Sequence, residues 1–244
     1  MTTSNQMSRR ARTRAATIAE IKQTALNLMR QSGTIDVRFT DIARAMGMTA
    51  PAMYRYYADR DDLVNALIAD AFNDLGEAIA AARDTVPRED IGGRWRAAAT
   101  AYRQWANKEP QLFTLILGLP MPGYVAPAGG LTSEASRRAL FQFVTLFVDA
   151  QRTGQLRPPL LKDVDPAVVQ CVQQKMAELS PEKLPQEVYQ AMLHAWCSLH
   201  GFVALEAYGH LHWMSQEGRD ALFDSHIRTI AQISGLPVAN WPDG

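Results

Sequence analysis

Residues 39–63 read FTDIARAMGMTAPAMYRYYADRDDL, and the fold depends on how this stretch is divided. Phe39, Ile42, Ala43 and Met46 fall on one face of a short helix, and Gly47 follows as its stop signal. A second short helix starts where Thr49 can accept a hydrogen bond from a first-turn backbone N–H. Pro51 sits there too, where a missing N–H costs nothing. Met53 and Tyr57, four apart, give this helix its inner side. Ala43, four residues before the glycine, and Met53, six after it, have the spacing of two helices crossing at a tight turn. A small side chain at Ala43 permits close packing, Gly47 can take a positive φ, and Met53 pins the second helix from inside. The face left outward carries Thr49, Ala50, Pro51, Arg55 and Tyr56, with Tyr54 on its flank.

Working outward, Ile18, Ile21, Ala25 and Leu28 predict a helix over 14–31 that ends at Gly33. Asp59 to Asp62 supply cap and first-turn charges for a long helix carrying Leu63, Leu67, Ala71, Leu75 and Ile79. Further helices are expected over 93–107, 110–117, 133–152, 166–179, 186–211 and 216–234. The segment GLPMPGYVAPAGGLT, residues 118–132, is a long Gly/Pro-rich loop that could serve as a lid or stay disordered. No strand pattern or repeat competes, so the fold class is all-α: an N-terminal three-helix unit and a larger C-terminal helical domain. The expected division is a flexible basic arm over 1–13, the helical pair with its supporting helix over 14–60, and the second domain over 61–244. Its first helix, 61–84, connects the two.

Composition bounds the function. Apolar residues make up 47% and charged residues 20%, an ordinary folded composition. The net charge is zero, yet residues 1–60 hold ten Lys/Arg against four Asp/Glu. That asymmetry points to an anionic partner for the N-terminal part alone, with phosphate the obvious chemistry. No window approaches the roughly 18 apolar residues of a membrane span, and the arginine-bearing N-terminus lacks an apolar segment behind it, so a cytoplasmic protein with no membrane partner is expected. Cys171 and Cys197 are too few for a disulfide framework and are expected to be buried thiols.

The stretch FTDIARAMGMTAPAMYRYYADRDDLVNALI resembles the helix-turn-helix signature of the TetR family of bacterial transcriptional repressors, a likeness covering about residues 14–70. The resemblance implies that Tyr54, Tyr56 and Arg60 touch phosphates and that Ala50, Pro51 and Arg55 lie nearest the base edges. The chemistry agrees, since hydroxyls and guanidinium groups position a protein on the backbone while only groups inside the groove read sequence. Arg55 is the residue here suited to bidentate guanine readout, whereas Ala50 and Pro51 offer only apolar contact. Packing against the first helix is the other reading of Tyr54 and Tyr57, and surface pairing with Asp62 that of Arg60. Arg9, Arg10, Arg12 and Arg14 either follow a minor groove or form a solvated tail. Arg38 departs from the family, which commonly caps the second helix with Thr or Ser; Thr40 or Asp36 would have to cap instead, and Thr40 could also meet a phosphate.

AYRQWANKEPQLFTLIL and, far downstream, HAWCSLHGFVALEAYGHL resemble the C-terminal ligand domain of a TetR subgroup named for its Trp-His-Gly signature, here Trp196, His200 and Gly201. This implies a helical effector-binding domain whose last two long helices pair with a second subunit in a homodimer. Pockets of this kind are lined by aromatics and Met with a few polar groups, which makes Trp105, Phe113, Met121, Tyr124, Phe147, Met176, Trp196 and His200 candidates. The whole then reads as a homodimeric repressor released from a palindromic double-stranded DNA operator by a small, largely apolar effector. The alternative is a DNA-binding dimer whose second domain is a structural or protein-partner module without ligand control. No metal or cofactor is expected, because the five histidines form no H-E-x-x-H or Cys/His ligand set. No enzyme is expected either: phosphate-cradling and nucleophile-elbow motifs are missing, and Ser198 and His200 are only two apart on a helix.

Overall fold

The computed structural model describes residues 8–118, 124, 129–177, 184–238 and 241, with 172–177 described for backbone alone. Among these residues the chain is all helical, with ten helices and no strand: α1 (Arg9–Ser32), α2 (Phe39–Ala45), α3 (Ala50–Met53), α4 (Arg60–Asp84), α5 (Ile91–Lys108), α6 (Pro110–Leu117), α7 (Leu131–Arg152), α8 (Pro166–Ala177), α9 (Gln186–Ala207) and α10 (Gln216–Ser234). They form two compact units, Met1–Ala71 with Gln111–Glu134, and Phe72–Pro110 with Ala135–Gly244. The chain passes from the first to the second inside the uninterrupted α4.

In the first unit α1 packs on α2 and α2 on α3. Ile21, Ala25 and Met29 of α1, Ile42 and Ala43 of α2, and Met53 of α3 are buried together with Tyr57, Leu63 and Leu67. Helix α1 starts five residues before the expected Arg14. Ser8 caps it, its Oγ accepting from the N–H of Ala11 at 3.2 Å, and arginine is a strong helix former. Apolar periodicity detects only the buried part of a helix, so Arg9, Arg10 and Arg12, read as a flexible arm, lie on an exposed helical turn. Gly47 takes φ 64° and lets Met48 donate to Ala43 O at 2.8 Å, and nothing lies within 4 Å of where its Cβ would be. The backbone angle, not crowding, requires glycine there.

Helix α3 is shorter than its sequence suggests: four helical residues, then tight turns in which Arg55 donates to Ala52 O and Tyr56 to Met53 O. Thr49 occupies the N-cap position, but its hydroxyl makes no capping bond; only its carbonyl is used, by Ala52 N–H at 2.9 Å. The expected side-chain cap is therefore replaced by a backbone bond. Arg38 likewise precedes α2 without a side-chain cap. At α4 the expectation and the structure agree, since Asp59 accepts from Asp62 N–H at 2.8 Å and Asp62 from Ala58 N–H at 3.1 Å.

In the second unit α9 packs against α10, α5 and α8. Its core holds Trp95, Tyr102, Phe147, Leu199, Val203, Ile227 and Ile230. The Trp95 indole donates to Ile227 O at 2.9 Å. A charged network ties the C-terminal ends of α5 and α9 to the start of α10: Arg103 grips Glu206, both buried, and also reaches Asp220 at 2.8 Å, while Asn107 donates to Glu206 at 2.9 Å. The segment after α10 is fastened as well. Trp241 is buried, donates to Asp224 at 2.9 Å and lies under the Arg96 guanidinium at 5.7 Å. Pro237 O passes so close to α5 that a Cβ on Gly92 would sit 2.4 Å from it. Helix α9 stops at Ala207 rather than Leu211, because Gly209 adopts φ 83° and His210 N–H returns to Leu205 O. Both cysteines, expected to be buried, are exposed. Cys197 falls on the side of α9 that carries the exposed Leu193 and Leu205, not on the side that packs into the core, and composition alone cannot locate a residue around a helix axis.

Candidate nucleic-acid interface

The outward face of α2 and α3 forms from residues whose neighbours are buried. Met53 and Tyr57 anchor α3 from inside, at 0% and 6% exposure, which turns Thr49, Pro51, Tyr54 and Arg55 to solvent and leaves Ala50 and Tyr56 half-buried. Thr40, on the first turn of α2, is exposed. Tyr54 keeps 61% of its surface open while the edge of its ring rests against Phe39, centroids 5.4 Å apart. It thus packs on α2, not α1, with its hydroxyl end left outside. Arg14 of α1 lies 5.9 Å over the Tyr56 ring and donates to Arg55 O at 3.4 Å, so α1 braces the end of α3.

The guanidinium groups of this unit differ sharply in occupancy. Arg60 donates through Nη2 to Asp36 at 2.8 Å and through Nε to Val37 O at 3.0 Å, with Asp61 at 3.8 Å. Its partner is thus Asp36 rather than Asp62, which caps α4. Arg44 pairs with Asp41 at 3.3 Å. Among the described residues Arg55 is exposed with no ion pair or side-chain hydrogen bond, and so is Arg38. Sequence reasoning passed over Arg38 as anything but a missing cap, and missed Asp36 as Arg60's partner; a pair 24 residues apart carries no periodic signal. The Tyr57 hydroxyl is buried without a partner, and burial first, then the Asp70 and Asp62 carboxylates, pushes it up to about 12.

Of the candidate pocket residues in the second unit, Trp105 and Phe147 are buried, and the Trp105 indole is satisfied by Asp74 at 2.7 Å. Trp196 and His200 are half-buried and stacked, centroids 5.4 Å apart at 17°. Tyr102 OH meets His200 Nδ1 at 2.8 Å, and its ring stands edge-on to Trp196 and Phe143. Burial lowers the His200 pKa and raises that of Tyr102, which leaves a neutral imidazole beside a protonated phenol. Tyr102 and Phe143 were absent from the sequence candidates, although Tyr102 is seven residues after Trp95 and so shares its side of α5. In the first unit Phe113 is buried and Tyr124 donates to Asn65. Met121, the Met176 side chain and most of the 118–132 loop lie outside the described residues. A separate cleft of about 150 Å³ opens between Pro159–Leu161 and α9/α10, with His194, Ser198 and Ile233 on its wall. Among the described residues no three His, Cys, Asp or Glu side chains converge as a metal site would require, and no helix is long and apolar enough to cross a membrane.

Comparison with known proteins agrees with this architecture. Residues 21–67 match the model of bacterial regulatory proteins of the tetR family, and residues 95–230 match the tetracyclin repressor-like C-terminal domain. The HTH-type transcriptional regulator Rv1816 of Mycobacterium tuberculosis is 29% identical over 214 residues, 88% of each chain. The crystal structure of SCO4313 superposes with a TM-score of 0.70 at 28% identity, covering 92% of this chain and 98% of that one. A protein from Rhodococcus sp. RHA1 shares the fold, with a TM-score of 0.65 at 20% identity over 95% and 100% of the two chains. With a helix-turn-helix at one end and the matching helical domain over more than half its length, the chain belongs to the TetR family of transcriptional regulators.

Proposed function

We propose that the protein is a homodimeric cytoplasmic repressor that occupies a palindromic DNA operator and leaves it when a small, largely apolar effector binds. The observation that carries this reading is the outward face of α3, where Arg55 is exposed and unpaired between Pro51 and Tyr56. A guanidinium with no partner among the described residues is available to a guanine edge, and in this reading Tyr54, Tyr56, Thr40 and Thr49 grip phosphates around it, with Ala50 and Pro51 in apolar contact. Two such faces must be about 34 Å apart to enter successive major grooves. Support for a dimer comes from α9, where Leu193, Cys197 and Leu205 are exposed on one side with Tyr208 just beyond, and from exposed Leu222 on α10. An added Cβ on Gly201, midway along that side, would meet nothing within 4 Å.

Effector control rests on the half-buried Trp196–His200 stack, where aromatic surface adjoins the Tyr102 hydroxyl and a neutral imidazole. Trp196, His200 and Gly201 also carry the narrower subgroup likeness. Release is a population shift, so the effector must prefer one helix separation over the other; α4, common to both units, is the lever. Selecting sites from a random DNA pool with purified protein tests the reading. A palindromic consensus bound by a dimer supports it, and recovery of no enriched sequence defeats it. A panel of apolar compounds then tests control, which is refuted if none raises thermal stability or frees the selected DNA.

A further inference from the structure

Resting on the DNA-binding reading above, we infer that Arg38, not Arg60, is the cation that grips a phosphate at the start of α2, and that Arg60 is the positioning residue that holds it there. Val37 is buried at 5% exposure, and Arg38 follows it in extended conformation, φ −113° and ψ 143°. Successive side chains of extended backbone point to opposite sides, so an inward Val37 sets Arg38 outward. The segment is clamped on both flanks. Before Arg38, Arg60 donates to Asp36 and to Val37 O, at 2.8 and 3.0 Å; after it, Phe39 packs against the Tyr54 ring at 5.4 Å. Arg38 is therefore held between two elements of the outward face, while its own guanidinium has no ion pair or hydrogen bond among the described residues.

Arg60 is in the opposite state. Its side chain is 32% exposed, and its charge is matched by Asp36 in front and Asp61 behind, so moving it to a phosphate would break both its hydrogen bond to Val37 and its pair with Asp36. An exposed cation with no bond to lose binds phosphate at lower cost. Arg38 thus stands to Arg55 as backbone grip to base reader: both exposed and unpaired, one on each side of the turn at Gly47.

The test is the salt dependence of binding to a mixed-sequence 30-base-pair duplex, which needs no knowledge of the operator. Losing one phosphate contact reduces the slope of log K against log salt by about 0.9, which weakens binding about eightfold at 0.1 M salt relative to 1 M. Arg38→Gln is expected to lose that increment on every duplex sequence tried. Asp36→Asn/Arg60→Gln, which removes the neighbouring pair without changing net charge, is expected to keep the wild-type slope and to weaken binding only through looser placement of Arg38. In the Arg38→Gln background that pair of changes should cost little more. A wild-type slope in Arg38→Gln overturns the inference, as does a full increment lost in Asp36→Asn/Arg60→Gln. Failure of the unaltered protein to bind duplex at all would instead overturn the DNA-binding reading, and circular dichroism melts confirm that each variant folds.

Discussion

Replacing Glu206 by Gln removes one charge from the network at the junction of α5, α9 and α10 while keeping the shape of the side chain. Glu206 is 5% exposed and receives Arg103 through two nitrogens and Asn107 through one, with Arg219 at 3.5 Å. Breaking a buried pair by removing one partner costs about 3–5 kcal/mol, because the other charge stays buried. The low end applies, since Arg103 keeps the solvent-exposed Asp220 at 2.8 Å. At about 3 kcal/mol, a chain of this size loses roughly 6–12 °C in melting temperature. All five tryptophans lie in the second unit, so intrinsic fluorescence reports the unit concerned without interference from the first. The same experiment has a pH axis. Burial pushes the Glu206 carboxyl up, but hydrogen bonds from Arg103 and Asn107 and the Arg103 and Arg219 charges outweigh it and hold the pKa below its ordinary value. A carboxylate lowered in the folded state stabilises above its unfolded value, about 4.3 for glutamate, and that contribution is lost as pH falls through the lower folded value. The wild-type and Glu206→Gln curves should therefore stand apart at pH 7 and converge on acidification below about pH 4. A shift under 2 °C at pH 7, or curves that stay parallel, would refute the reasoning.

Tyr57→Phe should stabilise the first unit by about 1 kcal/mol, because the hydroxyl it deletes is buried with no partner; circular dichroism melts read this, and a lower melting temperature would contradict it. Gly92→Ala should lower the fluorescence-detected transition by several degrees, at a cost of about 1–3 kcal/mol, since the new methyl would meet Pro237 O at 2.4 Å and backbone cannot step aside cheaply. Arg55→Ala should relax base choice at one position of each half-site, with about 1–3 kcal/mol of discrimination lost there in competition binding. Uniform weakening across all sequences would place Arg55 on the phosphates instead.

The helical framework was legible because apolar spacing is a direct record of burial. Ile21, Ala25, Ile42, Met53 and Leu67 were read as inward from period alone, and all are buried. Stop and start signals with a local mechanism were legible too: Gly47 has the positive φ that a crossing turn needs, and Asp59 caps α4. What escaped were features decided by long-range partners or by the absence of an apolar signal. The first turn of α1 has no apolar stripe and depends on Ser8. The Thr49 hydroxyl could have capped α3, but the backbone alone closes that turn. Asp36 reaches Arg60 across 24 residues, and Tyr102 reaches His200 across 98, distances at which no helical period applies. The composition of the outward face could be read in advance; which of its cations would be left without a partner could not.

The long reach of the contacts on α5 also bears on how the protein is made. Arg103 is synthesised 103 residues before Glu206, and Trp95 waits 132 residues for the carbonyl of Ile227. At ribosomal rates of about 5–20 residues per second, α5 exists for roughly 5–25 s before its charged and indole groups can find their acceptors. The first unit, whose α1–α3 contacts are local, can settle in that interval. Helix α5 cannot, and on a nascent chain it offers an amphipathic surface with a guanidinium in its midst, a form that chaperones meet more readily than the finished protein does.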